Sequence, residues 1–202
     1  MSDHSVIWIK KPVARPLSSD KRNAIIDAAI KAIAGNGVGA STSLISRRAG
    51  VSDGSLFVYF ATKELLLNEV YLAVKFDLGE SILSGYPRNE HLVRRCRHLW
   101  DRYIAWGLQY PEKKSALRQL SVSSKISAAT RREGFIPFIE VDEMLKEVAA
   151  SGSLDSVKST GFAADLFTTV ADMTVDQIEK FPSKSQGLAV AGFEFFWKGA
   201  VT

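Results

Sequence analysis

Apolar residues recur at intervals of three and four through most of the chain, the spacing that lines one face of a helix. Ile26, Ala29, Ile30 and Ile33 follow this rule behind Ser18, Ser19 and Asp20, residues suited to cap a helix start, and the run predicts a helix closing at Gly35 or Gly37. Ser41, Thr42 and Ser43 open a second, shorter pattern in which Ile45 and Ala49 stand four apart. Leu56 and Phe60 repeat that interval after Gly50, Val51 and Ser52. Gly50 stands where the chain must turn, a position that favours the left-handed backbone glycine adopts without strain. Ser52 caps the helix that follows, and Asp53 adds negative charge at the positive end of its dipole. Val51 fills the angle between the two helices, and Ala49 is small where they cross.

With Leu56 and Phe60 turned inward, the segment from Asp53 to Tyr59 leaves Ser52, Gly54, Ser55, Phe57, Val58 and Tyr59 for its outer face or flanks. A small, hydroxyl-rich and aromatic surface of that kind suits a helix lying in the major groove of DNA. Ser41, Thr42 and Ser43 combine free amides with hydroxyls at a helix start, a natural seat for a phosphate. Downstream, Thr62 caps a long helix that begins at Lys63 and continues through Leu65, Leu66, Val70, Leu72 and Val74 until Gly85-Tyr86-Pro87 breaks it. Lysine is disfavoured at the positive end of a helix, so Lys63 is better explained by an external phosphate.

The run Ala49-Gly50-Val51-Ser52-Asp53-Gly54-Ser55-Leu56-Phe57-Val58-Tyr59-Phe60, followed by Thr62-Lys63-Glu64-Leu65, resembles the TetR/AcrR family of bacterial transcriptional regulators. The likeness extends upstream through Ile25-Ile26-Asp27-Ala28-Ala29, Gly37 and Ser41-Thr42-Ser43, while the rest of the chain agrees only in length and helical character. It implies an all-α protein, with an N-terminal three-helix helix-turn-helix DNA-binding domain over 18–65 and a larger C-terminal helical domain over 66–202 that binds an effector and dimerises. The DNA contacts expected on this basis come from Ser41, Thr42, Ser43, Ser52, Asp53, Gly54, Ser55, Phe57, Tyr59 and Lys63. Two positions depart from the family pattern. Phe57 replaces a tyrosine whose hydroxyl usually meets a phosphate, so that contact is lost. Ser46 replaces a preferred alanine, which is tolerated if its hydroxyl bonds a carbonyl one turn back.

The overall composition, 46% hydrophobic and 24% charged in 202 residues, is that of an ordinary globular protein. No apolar run approaches the length of a transmembrane helix and no apolar signal core precedes the first helix, so no membrane association and a cytoplasmic location are expected. The single cysteine, Cys96, excludes an intramolecular disulfide and a cysteine-rich metal site. Met1 to Lys75 holds 10 Lys and Arg against 6 Asp and Glu, and the remainder balances 16 against 16, so the whole excess of +4 lies at the N-terminal end. A basic head on a neutral body suits phosphate contacts. Residues 1–17, with Lys10, Lys11, Pro12, Arg15 and Pro16, read as a flexible or extended basic arm, either an idle tail or a minor-groove contact. Arg47 and Arg48 either reach phosphates or serve solubility.

From Glu90 to Ser159 the pattern stays helical, interrupted at Pro111 and around Gly134 to Pro137. Trp100, Tyr103 and Trp106 share much of one helix face, either as core or as an aromatic wall of a ligand cavity that Phe135 and Phe138 could close. Two later helical stretches carry Phe162, Leu166, Phe167 and Val170, then Phe193, Phe196 and Trp197, as candidates for a homodimer interface or for completing the protomer core. A two-fold dimer would place two reading helices about 34 Å apart on a palindromic operator. No phosphate loop, nucleophile elbow or zinc motif is present, His91 and His98 lack matching ligands, and no enzymatic activity or cofactor is expected. The expected partners are therefore double-stranded DNA, a second copy of the chain and a small hydrophobic or aromatic effector. A helical small-molecule carrier or an enzyme without sequence-specific DNA binding is the alternative.

Overall fold

The computed structural model describes residues 18–201, and the arm expected at 1–17 lies outside them. The described chain is helical throughout: α1 (Ser19–Asn36), α2 (Thr42–Arg48), α3 (Asp53–Tyr59), α4 (Lys63–Leu83), α5 (Leu92–Gln109), α6 (Pro111–Ser121), α7 (Ala128–Phe135), α8 (Ile139–Ala150), α9 (Phe162–Lys180) and α10 (Ser185–Val201). Ser18 caps α1, its hydroxyl accepting from the Lys21 amide at 3.4 Å, and the helix closes where Gly37 takes a φ of 77°. The buried face of α1 is wider than the sequence pattern suggests, adding Ile25, Ala28 and Ala32. The cause is that α1 packs against α2, α4 and also α6. From α6, Ser115 Oγ and Gln119 Nε2 both donate to the Ala34 carbonyl, each at 3.4 Å.

The 21-residue α4 runs without a break across the expected domain boundary, packing on α1 at one end and on α5 and α7 further along. The Arg22 guanidinium pairs with Glu69 and lies 5.5 Å from the centre of the Phe60 ring, tying α1 to both the end of α3 and the first turns of α4. Proline starts α6 at Pro111, and the break expected near Gly134 to Pro137 is the junction of α7 with a short 3-10 turn, Ile136–Phe138. That turn presses onto α4 where α4 has no side chain. A Cβ on Gly79 would lie 2.5 Å from Pro137 Cβ, and one on Gly134 would lie 2.7 Å from the Tyr71 ring.

The body core forms where α5 meets α9 and α10. Trp100 is fully buried, donates its indole N–H to the Ala189 carbonyl at 3.0 Å, and meets Phe167 and Phe193 edge-on at 5.6 and 5.9 Å between ring centres. Phe167, Val170, Phe193 and Phe196 are at most 6% exposed, which corrects their assignment to a dimer face: α9 and α10 spend that stripe on α5 and on each other. Phe162 remains 48% exposed, while Leu166 and Trp197 are half-buried. Met173, Val190 and Phe195, at 53%, 36% and 68%, are further large apolar side chains that α9 and α10 turn outward. Cys96 is buried, and burial pushes its thiol up to about 12.

Candidate functional site

The head owes its shape to the turn between α2 and α3. Gly50 takes a φ of 66°, the left-handed conformation that glycine reaches without a Cβ clash, and the Val51 amide then donates to the Ser46 carbonyl at 3.0 Å. Ser41, Ser52 and Thr62 cap α2, α3 and α4 in turn, their hydroxyls accepting from the amides of Leu44, Ser55 and Leu65 at 3.2, 3.2 and 3.1 Å. Ile45, Leu56 and Phe60 are buried beneath α2 and α3. On the outside, Ser52, Asp53, Gly54, Phe57 and Val58 are exposed, with Phe57 at 44% and Val58 at 65%, and Ser55 is half-buried with its hydroxyl 2.9 Å from that of Ser52. Ser41 and Ser43 are exposed and Thr42 half-buried at the start of α2. Lys63 stands at the first position of α4 with no carboxylate partner among the described residues, as do Arg47 and Arg48 in the last turn of α2.

Three of the expected contact residues, Ser43, Asp53 and Tyr59, form side-chain hydrogen bonds between helices of the head. The Asp53 carboxylate accepts from the Ser43 hydroxyl at 3.2 Å and from the Ser46 hydroxyl, so it ties the start of α3 back to α2. Ser46, 3% exposed, also has the Ser43 carbonyl at 3.3 Å as an alternative acceptor one turn back. Tyr59 is half-buried, and its hydroxyl accepts the backbone N–H of Ser18 at 3.1 Å, joining the end of α3 to the start of α1.

The body holds a cavity of about 400 Å³ between α4, α5, α6, α8 and α9, with Phe135 and Phe138 closing it from the α7 side. Tyr103 and Trp106 line it as well, but Trp100 does not, because its indole is packed into the core one turn away. Leu78, Ile82, Val141, Leu145 and Phe167 complete walls that are chiefly aliphatic and aromatic. Each polar group in the aromatic wall has a partner. Tyr103 donates to Asp172 at 2.7 Å, and Trp106 Nε1 donates to Asp77 at 2.8 Å, whose other oxygen accepts from Lys113 at 2.6 Å. Burial raises the Asp172 carboxyl above its usual range, against the opposing pull of the Tyr103 bond and of Lys114 and Arg118. Lys114, itself 5% exposed, pairs with Asp176 at 2.8 Å and Glu179 at 3.5 Å, and Arg118 reaches Asp176 at 3.1 Å.

Residues 25–70, which span most of α1, all of α2 and α3 and the first turns of α4, match the family model for bacterial regulatory proteins of the tetR family. That segment is a TetR-family helix-turn-helix domain. Among solved structures, the chain is similar to a TetR family transcription regulator from Marinobacter aquaeolei VT8, at 19% identity over 89% of this chain and 94% of that one with a TM-score of 0.77. It is similar too to the fatty acid degradation regulator FadR from Bacillus halodurans, at 22% identity over 90% and 96% with a TM-score of 0.67. FadR from Bacillus subtilis, solved in complex with stearoyl-CoA, matches at 19% identity over 88% and 98% with a TM-score of 0.64. At such identities the likeness is one of fold, and it takes in the body as well as the head. The chain carries a TetR-type helix-turn-helix head and shares its overall fold with TetR-family regulators.

Within this TetR-like fold, several lining residues escaped sequence reading. Lys75, Lys114 and Arg118 sit on helices whose charged positions read as solvated faces, and only packing turns them toward the cavity. His98 is half-buried against Tyr86, its Nε2 without a hydrogen-bond partner among the described residues, whereas His91 is exposed at the start of α5. Among the described residues no group of three or more His, Cys, Asp and Glu is placed to hold a metal ion, and no described helix is long and apolar enough to cross a membrane.

Proposed function

We propose that the chain acts as a homodimeric, non-enzymatic repressor in the cytoplasm, which leaves a palindromic operator when a small hydrophobic or aromatic effector enters the body cavity. One observation carries this reading. Helix α4 begins with Lys63 directly after the reading helix α3 and, further along the same rod, lines the cavity with Lys75, Leu78 and Ile82. A ligand that displaces that wall therefore acts on a helix that also positions the head, and its preference for one head spacing shifts the population away from the DNA-bound form. By reciprocity, operator DNA weakens effector binding by the same factor.

In this reading 18–65 is the DNA-binding unit and 66–202 the effector-binding and dimerising unit. Ser41, Thr42, Ser43 and Lys63 hold the DNA backbone, while Ser52, Gly54, Ser55 and Phe57 of the α3 segment face the major groove. Asp53 and Tyr59 reach DNA only with the valences their internal bonds leave free. The dimer face consists of the apolar side chains left outward on α9 and α10, Phe162, Leu166 and Trp197 together with Met173 and Phe195. The stearoyl-CoA bound to the Bacillus subtilis FadR, a protein of the same fold, carries a long apolar acyl chain and supports a body that takes up a ligand with an apolar part.

A gel shift against DNA flanking the protein's own gene tests the reading. Sequence-specific binding in the nanomolar range with a steep salt dependence is expected, and release on adding an effector. Absence of any sequence preference would favour the stand-alone carrier, turnover of a metabolite would favour the enzyme, and an effector that tightens operator binding would overturn the proposed mechanism.

A further inference from the structure

Three cations line the body cavity, and two of them are committed. Lys114 and Arg118 share Asp176, with Glu179 also beside Lys114. Lys75 has no carboxylate or hydrogen-bond partner among the described residues. Its position is fixed by packing. Its stem runs alongside Gly134 of α7, where a Cβ would stand 3.4 Å from Lys75 Cγ, and the ammonium lies 3.7 Å from the centre of the Phe138 ring. The acids that line the same cavity are engaged elsewhere or lie at its rim. Asp142 pairs with Lys146 at 2.6 Å, Asp172 accepts from Tyr103, and Asp165 is exposed on α9. Burial with no carboxylate to offset it lowers the Lys75 ammonium to about 8.

We infer that Lys75 is an anion anchor, and that the effector is an apolar molecule carrying a single carboxylate. The inference rests on the effector-pocket reading above and narrows it to a ligand class. An ammonium held against an aromatic ring among Leu78, Val141 and other apolar walls has lost hydration that the ring face replaces only in part, and an anionic ligand group would supply the rest. A lysine supplies one positive charge, which matches one carboxylate, and the other two cations lining the cavity are already paired with Asp176 and Glu179, which leaves no second free charge there for a dianionic phosphate. A cavity of about 400 Å³ lies toward the small end of ligand sites, so the apolar part is of modest size.

The test compares decanoate, decan-1-ol and decyltrimethylammonium by titration calorimetry on the full chain, its Lys75→Met variant and its Lys75→Arg variant. Decanoate is expected to bind the unmodified chain at least about tenfold more tightly than either of the other two, to lose most of that preference in Lys75→Met, and to keep much of it in Lys75→Arg. Lys75→Met removes an unpaired charge from an apolar setting, so its thermal stability should equal or exceed that of the unmodified chain. Decan-1-ol binding as well as decanoate, or a decanoate affinity that Lys75→Met leaves unchanged, overturns the anchor and leaves the effector pocket standing. Binding of none of the three probes overturns the anchor and the effector-pocket reading together.

Discussion

Asp53 stands at the N-terminus of α3, where a carboxylate suits the helix dipole and lies within reach of DNA, yet the hydroxyls of Ser43 and Ser46 occupy it. Sequence reading marked both Asp53 and the unusual Ser46 but could not pair them, because the residues that meet lie seven apart across a turn. Ser46 thereby turns a departure from the family pattern into a clamp between the two helices. Lys63 is the simpler case, a lysine in an unfavourable helix position with no carboxylate partner among the described residues to explain it. Lys63→Ala should weaken binding to all DNA sequences alike and reduce the salt slope by about one, read by gel shifts over a salt series on operator and unrelated DNA. A change in base preference instead would remove Lys63 from the phosphate contacts.

The boundaries of α1 to α4 were legible at the level of elements because each is written in local chemistry: a serine or threonine cap and a helical apolar stripe, with a glycine or proline stop after α1, α2 and α4. Which apolar stripe each later helix buries was not. α9 and α10 carry more apolar residues than one face can hold, and periodicity alone could not tell the stripe against α5 from the one left outward. The junction of α4 with the 3-10 turn at Pro137 is another case. Glycine lowers the intrinsic stability of a helix interior, but Gly79 is the space into which Pro137 fits. Gly79→Ala should therefore destabilise the fold by about 1–3 kcal/mol despite alanine's better helix propensity, and lower the Tm by about 3–10 °C, measured by calorimetry. A gain in stability would mean that the turn does not press on α4 as described.

For the whole molecule, the question is what the outward apolar residues on α9 and α10 serve. Phe195 is 68% exposed, so replacing it should leave the protomer fold intact. In the homodimer reading, Phe195→Glu should shift sedimentation from dimer to monomer with the helical circular dichroism unchanged, and should weaken operator binding more than tenfold, because one head cannot span two half-sites. A variant that remains a dimer with full affinity would place the interface elsewhere. The sequence by itself determined the all-helical class, the limits of the first four helices and the reading segment, since caps, turns and apolar periods act over a few residues. The tertiary structure alone decided that Trp100 is core while Tyr103 and Trp106 line a cavity, that Lys75 faces that cavity with no carboxylate partner among the described residues, and that Phe167 and Phe196 belong to the protomer. Those outcomes depend on which helix lies across from each face, and the packing of side chains distant in the chain leaves no local trace in the order of residues.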